Sequence, residues 1–200
     1  MPKVGMEPVR RKALVDAALK AIGDHGTLSV SMQEIARSAG VSPALAFHYF
    51  GSKDQLLLAT MRSLLKQLTQ ATIRGLSAAQ TPRARVSAII GASLEAEQFT
   101  AATISAWLAF YVEAQRSSET RRLLTIYASR LNSNLVHALK PLCSEMQAAL
   151  IAEGAAAMID GLYIRQALNA GATDVAGARA LVENYVSMQL TQTLGGTTAS

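Results

Sequence analysis

The chain is poor in the residues that staple, kink or cross-link a fold. It has one cysteine, one tryptophan, five prolines, five tyrosines and four phenylalanines in 200 residues. The lone Cys143 excludes an internal disulfide framework and fits a reducing, cytoplasmic compartment. Alternating β-branched runs flanked by hairpin turns are missing, which excludes an ordinary sheet. The basic N-terminus lacks an apolar core segment and is no secretory signal. The uncharged run Gln98 to Val112 is too short and too polar to span a bilayer, so no membrane partner is expected. His25, His48 and His137 stand far apart without metal-ligand spacing. Cys143 has no base partner nearby in sequence. No phosphate loop and no G-x-S-x-G is present. These absences argue against an enzyme, a metal site or a bound cofactor. Acids are also scarce: 14 against 19 Lys and Arg, a formal net charge of +5.

Half of the residues are hydrophobic, and much of that half is alanine. Such a composition favours closely packed helices, and the expected fold class is all-α with about nine of them. The positive charge is uneven. Residues 1–66 hold nine Lys/Arg against five Asp/Glu, whereas residues 67–200 hold ten against nine. That imbalance suits a segment that neutralises phosphates, although ordinary solubility charge would look the same.

The basic end contains two short helices joined by a tight turn, within Ser31 to Lys53. Ser31 and Glu34 have capping-box spacing, and Ile35, Ala36 and Ala39 form an apolar face. Gly40 can take the left-handed conformation that ends a helix. Ser42 caps the second helix with Pro43 in its first turn; Phe50 and Gly51 close it. Ser52 with Gln55 starts the next helix. This is the pattern of a helix-turn-helix, whose second helix can enter a major groove. Ser42, Pro43, Ala44 and His48 are small or polar where a core helix would carry large apolar residues. The alternative from the residues alone is a helical adaptor.

The rest of the chain divides as follows. Residues 1–7 form a mobile arm, and helix 1 runs from Pro8 to His25, with Leu14, Ala18 and Ile22 at helical spacing. Arg10, Arg11 and Lys12 crowd its first turns, where positive charge opposes the helix dipole. An outside phosphate would offset that cost; a solvated basic face is the alternative. Helix 4 runs from Lys53 to Gly75, helix 5 over 82–98 after Pro82, helix 6 over 101–115 and helix 7 over 118–139. Helix 8 covers Ser144 to Asn169 and helix 9 covers Asp174 to Leu190. The domains expected are residues 8–53 for DNA binding, with helix 4 as connector, residues 54–192 for ligand binding and dimerisation, and a disordered tail over 193–200.

The stretch IARSAGVSPALAFHYFGSKDQL resembles the DNA-binding unit of the tetracycline-repressor (TetR) family. The opening MPKVGMEPVRRKALVDAAL, with AWLAFYVEAQ, SNLVHAL and MIDGLYIRQAL downstream, resembles a narrower BetI-type group, the choline-responsive repressors of the glycine-betaine pathway. Ala44, Ala46 and Phe47 depart from the common pattern. The resemblance implies that Lys53 binds a phosphate, aided by amides at the start of helix 4, and that the Tyr49 hydroxyl binds another. Phe47 stands where a phosphate-binding Tyr is frequent and lacks that hydroxyl. Ser42 binds backbone, and His48 reaches a phosphate or a base edge. Pro43, Ala44 and Leu45 can touch only thymine methyls, and Gln33 is the best hydrogen-bonding candidate for a base. With Arg10, Arg11 and Ser31, these make up the expected DNA surface.

Helix 6 places Trp107, Phe110 and Tyr111 on one face. Tyr127 and Tyr163 can join them, with Glu113 and Asp160 as balancing acids. Aromatic faces with a carboxylate suit a quaternary ammonium ion; a packed aromatic core is the alternative. The resemblance implies choline or a related effector, and a different hydrophobic or cationic ligand with other target genes is the second reading. Helix 8, rich in Ala and Gly, and helix 9 are expected to join two copies into a homodimer, unless both bury in their own core. A twofold dimer implies an inverted-repeat operator in duplex DNA.

Overall fold

A computed structural model describes residues 5–97, 99–168 and 174–195, with side chains to 192. The described residues form nine helices and no strand: α1 (Met6–His25), α2 (Met32–Ser38), α3 (Pro43–Phe50), α4 (Lys53–Ala78), α5 (Pro82–Ser93), α6 (Ala101–Glu113), α7 (Ser118–Leu139), α8 (Glu145–Leu168) and α9 (Val175–Gly195). None is long and apolar enough to cross a membrane.

Local chemistry sets most helix ends. Ser31, Ser42, Thr81 and Asp174 each accept a backbone N–H three residues on. Ser144 and Gln147 form a reciprocal capping box. The two other boxes are only half made. Glu34 turns to His25 at 2.6 Å, and the Gln55 amide reaches Glu119 at 3.5 Å.

Several boundaries differ from expectation. Met6 and Glu7 are helical rather than part of an arm, because Gly5 turns the chain with φ 106° and Glu7 pairs with Arg11 one turn on. Residues 1–4 lie outside the described residues. Helix α5 ends at Ser93, not 98, since Leu94 leaves helical geometry to be buried together with Phe99. Helix α6 stops at Glu113, where Arg121 grips the Ala114 and Gln115 carbonyls at 2.9 Å each. Helix α4 continues through Gly75 to Ala78, and α9 continues to Gly195. The tail expected over 193–200 is therefore helical through 195, and 196–200 lie outside the described residues, as does Asn169, the expected end of helix 8.

The chain forms two compact units, Met1–Lys66 with Ala101–Leu123, and Gln67–Thr100 with Leu124–Ser200. The expected split at residue 53 is a division by task; packing divides the chain inside α4 and assigns α6 to the N-terminal unit. In that unit α1 packs against α2, α3 and α6. Leu14, Ala18, Ile22, Ile35, Ala36, Met61 and Phe110 are buried. Each large apolar side chain so buried contributes about 1.5–3 kcal/mol. Gly23 lets α1 and α6 approach, since a Cβ there would lie 2.5 Å from Ala102 Cα.

In the second unit α9 packs on α5 and α8. Arg83 binds Glu183 at 2.7 Å and the Ser187 hydroxyl at 3.0 Å. Ile89, Leu135, Ile151, Ile159, Val182 and Val186 are buried. Gly154 leaves room for the Tyr185 ring of α9.

Candidate nucleic-acid interface

Helices α2 and α3 are too short to hold their shape alone. Their sequence fixes them locally. Ser31 caps α2, and Gly40, with φ 66°, ends it while Val41 N–H returns to the Ala36 carbonyl at 3.0 Å. Ser42 and Pro43 then start α3, and Gly51, at φ 75°, stops it.

What sets α3 apart is how little of it is buried. Ala46 alone is fully enclosed; Leu45, Tyr49 and Phe50 lie at the margin, and none of the three is buried. Ser42, Pro43, Ala44, Phe47 and His48 face solvent, and Phe47 is 45% exposed. With Ala46 the one fully buried residue of α3, most of the surface of that helix stays open for reading. The small side chain of Ala46 seats α3 close to its neighbours. Ser31 is exposed at the start of α2. Gln33, the residue expected to reach a base, is exposed on α2 as well.

At the start of α4 the Ser52 hydroxyl accepts the Gln55 N–H at 3.2 Å, which leaves the other amides of the first turn without a helical acceptor. Lys53 stands there half-buried, its ammonium donating one bond to the Leu28 carbonyl at 3.3 Å. Two N–H donors of that ammonium remain for an anion. Arg10 is exposed and makes no ion pair among the described residues. Arg11 and Lys12 differ. Arg11 binds the Tyr49 carbonyl at 2.5 Å and Lys12 binds Asp16 at 2.5 Å. The local cost read from the sequence is thus offset inside the unit for both, and only Arg10 keeps the form of that argument.

The ligand candidates fall in both units. In the N-terminal unit Trp107 and Phe110 are buried, Tyr111 is exposed, and the Trp107 and Tyr111 rings lie 6.4 Å apart. Phe110 and Glu113 also line a cleft of about 440 Å³, together with Lys53, Asp54, Leu57 and Glu119. In the second unit Tyr127 is buried and Asp160 half-buried. The Tyr163 ring packs on Phe99 at 4.9 Å, and its hydroxyl donates to the Ser93 carbonyl at 2.6 Å. That pairing ties α8 to the end of α5. Sequence reasoning missed Phe99, which lies between helices without a periodic signal, and the cleft acids Asp54 and Glu119, which are far apart in the chain. No group of three or more His, Cys, Asp or Glu among the described residues is placed to hold a metal.

Comparison with known proteins agrees with this geometry. Residues 14–60 match the N-terminal model of the bacterial regulatory proteins of the tetR family, and residues 82–191 match the C-terminal domain of BetI-type transcriptional repressors. The chain is 64% identical to the HTH-type transcriptional regulator BetI of Rhizobium meliloti strain 1021, over 95% of this chain and 94% of that protein. It is 62% identical to the protein of the same name from Agrobacterium fabrum C58, over 95% and 92%. Among solved structures, a transcriptional regulator from Pseudomonas aeruginosa PAO1 superposes with a TM-score of 0.79 at 25% identity, covering 92% of this chain and 91% of the other. A regulator from Saccharomonospora viridis, crystallised with choline, superposes at 0.77 with 21% identity over 88% and 95%. Caps, turn, open α3 and these matches agree: the chain belongs to the TetR family of transcriptional regulators, with a C-terminal domain of the BetI type, and is a DNA-binding repressor rather than an enzyme.

Proposed function

We propose that this repressor controls genes for choline uptake and glycine-betaine synthesis in the cytoplasm, and that choline or a related quaternary ammonium releases or retunes it. The observation that carries the DNA half is the exposure of α3 on a rigidly capped unit. The BetI-type domain and the names of the relatives support the regulated pathway. The S. viridis neighbour supports choline as a ligand this fold can accept. Affinity comes mainly from phosphates, through Lys53, Tyr49, Ser42, His48 and Arg10. Selectivity comes from thymine methyls against Pro43, Ala44 and Leu45, from Gln33 against adenine, and from DNA shape.

Two copies read an inverted repeat. Along α8 Met146, Leu150, Ala157, Ile164 and Leu168 are exposed, and Leu168 is 81% exposed. Leu181 and Met188 extend the apolar surface on α9. Apolar exposure over this length supports a four-helix contact between copies through α8 and α9.

Phe110 and Glu113 both line the cleft in the N-terminal unit, and an aromatic ring beside a carboxylate is a pairing suited to a cation. Trp107 and Tyr111 are proposed contributors in the same unit, and Tyr127, Asp160 and Tyr163 are proposed ligand contacts within the second unit, each group taken by itself. Calorimetry with choline, run with and without operator DNA, tests the scheme. The expected result is choline binding whose affinity changes when operator is present, because an effector acts only through unequal affinity for two states. Equal affinity in both runs, or no heat, removes choline as effector. Trp107 is buried, so its truncation would perturb the fold; Glu113→Gln is the cleaner variant and is expected to weaken choline binding.

A further inference from the structure

Arg11 lies on α1 and its guanidinium reaches across to the far end of α3. Its Nη1 donates to the Tyr49 carbonyl at 2.5 Å, and its Cζ sits 4.5 Å from the centroid of the Phe50 ring. Glu7, one turn back on α1, approaches the same nitrogen at 3.5 Å. The Tyr49 carbonyl belongs to the last turn of α3, where acceptors have no helical donor and the dipole is negative. A cation that bonds such a carbonyl is a C-terminal cap, and a planar guanidinium can do so while stacking on a ring. The other end of α3 is held by Ser42, and its middle by Ala46. Residue 49 has two tasks under the DNA-binding reading: its side chain is directed to a phosphate and its carbonyl is held by Arg11.

We propose that Arg11 is a positioning residue of the recognition helix: by clamping the Tyr49 carbonyl and the Phe50 ring it fixes the tilt of α3, and it contributes to sequence discrimination rather than to phosphate neutralisation. This rests on the reading of α2 and α3 as the DNA-binding pair. A group engaged three times within its own unit gains little by leaving for a phosphate. A short helix freed at its C-terminal end still binds DNA by charge, but it presents Pro43, Ala44 and Leu45 to the bases in the wrong orientation.

Salt dependence separates the two roles. Each phosphate contact adds about 0.9 to the slope of log affinity against log salt, so two Arg11 side chains per dimer would add about 1.8. The test compares the unsubstituted protein, Arg11→Gln and Arg11→Lys on two duplexes, an operator selected by the unsubstituted protein from a randomised pool and a scrambled version of it. For Arg11→Gln, operator affinity is expected to fall roughly tenfold for each of the two copies, about a hundredfold in all, through the loss of one charge-assisted bond per copy, with scrambled-duplex affinity and salt slope unchanged. Arg11→Lys keeps the charge and loses the planar fork; it should resemble Arg11→Gln, whereas a phosphate contact would tolerate Lys. A slope lower by about 1.8, with equal losses on both duplexes, overturns the proposal in favour of a phosphate contact. Equal losses at unchanged slope overturn it in favour of a general folding defect. Should Arg11→Gln not fold, Phe50→Leu supplies the same comparison with every charge retained, and an unchanged operator preference there refutes the clamp. If the unsubstituted protein itself selects no duplex, the DNA-binding reading fails along with the proposal; if it selects and the variants select equally well, only the proposal fails.

Discussion

Gly23→Ala is a substitution that helix propensity alone would favour and packing forbids. Alanine in a helix is better than glycine by about 1 kcal/mol. A Cβ built on Gly23 would lie 2.5 Å from both the Cα and the Cβ of Ala102 on α6. Carbon atoms at van der Waals distance prefer about 3.5–4.0 Å, so α1 and α6 must separate by about 1 Å or more. The Ala102 Cα is part of the main chain, and no rotamer change relieves the clash. Overpacking of this kind costs typically about 1–3 kcal/mol and occasionally more, and the tightness here points to the upper end. Subtracting the propensity gain leaves a net loss of about 2 kcal/mol. For a chain of this size that is a fall in Tm of about 4–8 °C, measured at fixed protomer concentration because the proposed dimer would add to stability. Ala102→Gly added to Gly23→Ala should restore only part of the loss, since the new methyl still meets the α6 main chain. A Tm for Gly23→Ala equal to or above that of the unsubstituted protein would refute the close approach of α1 and α6.

Three further outcomes are expected. Lys53→Ala should weaken binding to every duplex and lower the salt slope by about 1.8 for two copies, read by fluorescence anisotropy across a salt series; retained slope with lost discrimination would remove Lys53 from the phosphates. Leu168→Glu places a charge on the exposed apolar face of α8 and should shift sedimentation from dimer to monomer while leaving the helical circular dichroism of the chain intact; an unchanged dimer would exclude that end of α8 from the interface. Burial raises the Cys143 thiol above its ordinary pKa. A raised value means less thiolate at a given pH, so alkylation should run slower than for a free cysteine and its rate should keep rising at a pH where the free thiol has levelled off; a rate equal to free cysteine across the range would contradict its burial.

The helix-turn-helix was legible because everything that defines it is local. Ser31, Gly40, Ser42, Pro43 and Gly51 act within a few residues of themselves, and each takes the cap or turn geometry its side chain dictates. Glu34 and Gln55 had equally local alternatives but found partners in His25 and Glu119. A capping box was readable from spacing, and the competing bond was not. The same limit explains Arg11. Three basic residues at a helix start look like a local penalty, but the compensating carbonyl lies 38 residues along the chain. Tyr163 is expected among aromatics caging a cation; that its hydroxyl also bonds the Ser93 carbonyl and its ring packs on Phe99 could not be read from its local sequence. Helix α5 ended early for a related reason. Burying Leu94 and Phe99 gains more than a few further helical residues would, and that comparison depends on neighbours the local sequence does not contain.

The assignment of α6 to the N-terminal unit bears on how an effector could act. Trp107, Tyr111 and Glu113 are carried on a helix packed against α1, which in turn touches both α2 and α3. A ligand that moves α6 therefore acts on the scaffold of the recognition helix directly. Coupling of this kind needs only two arrangements of one packed unit with unequal ligand affinity.

The number of chains on one selected operator tests the central claim most directly. Sedimentation of labelled operator with excess protein at low ionic strength should give two chains per duplex, and an equal amount of scrambled duplex should not displace them. One chain per duplex, or displacement by the scrambled competitor at equal concentration, would contradict a paired reader of an inverted repeat.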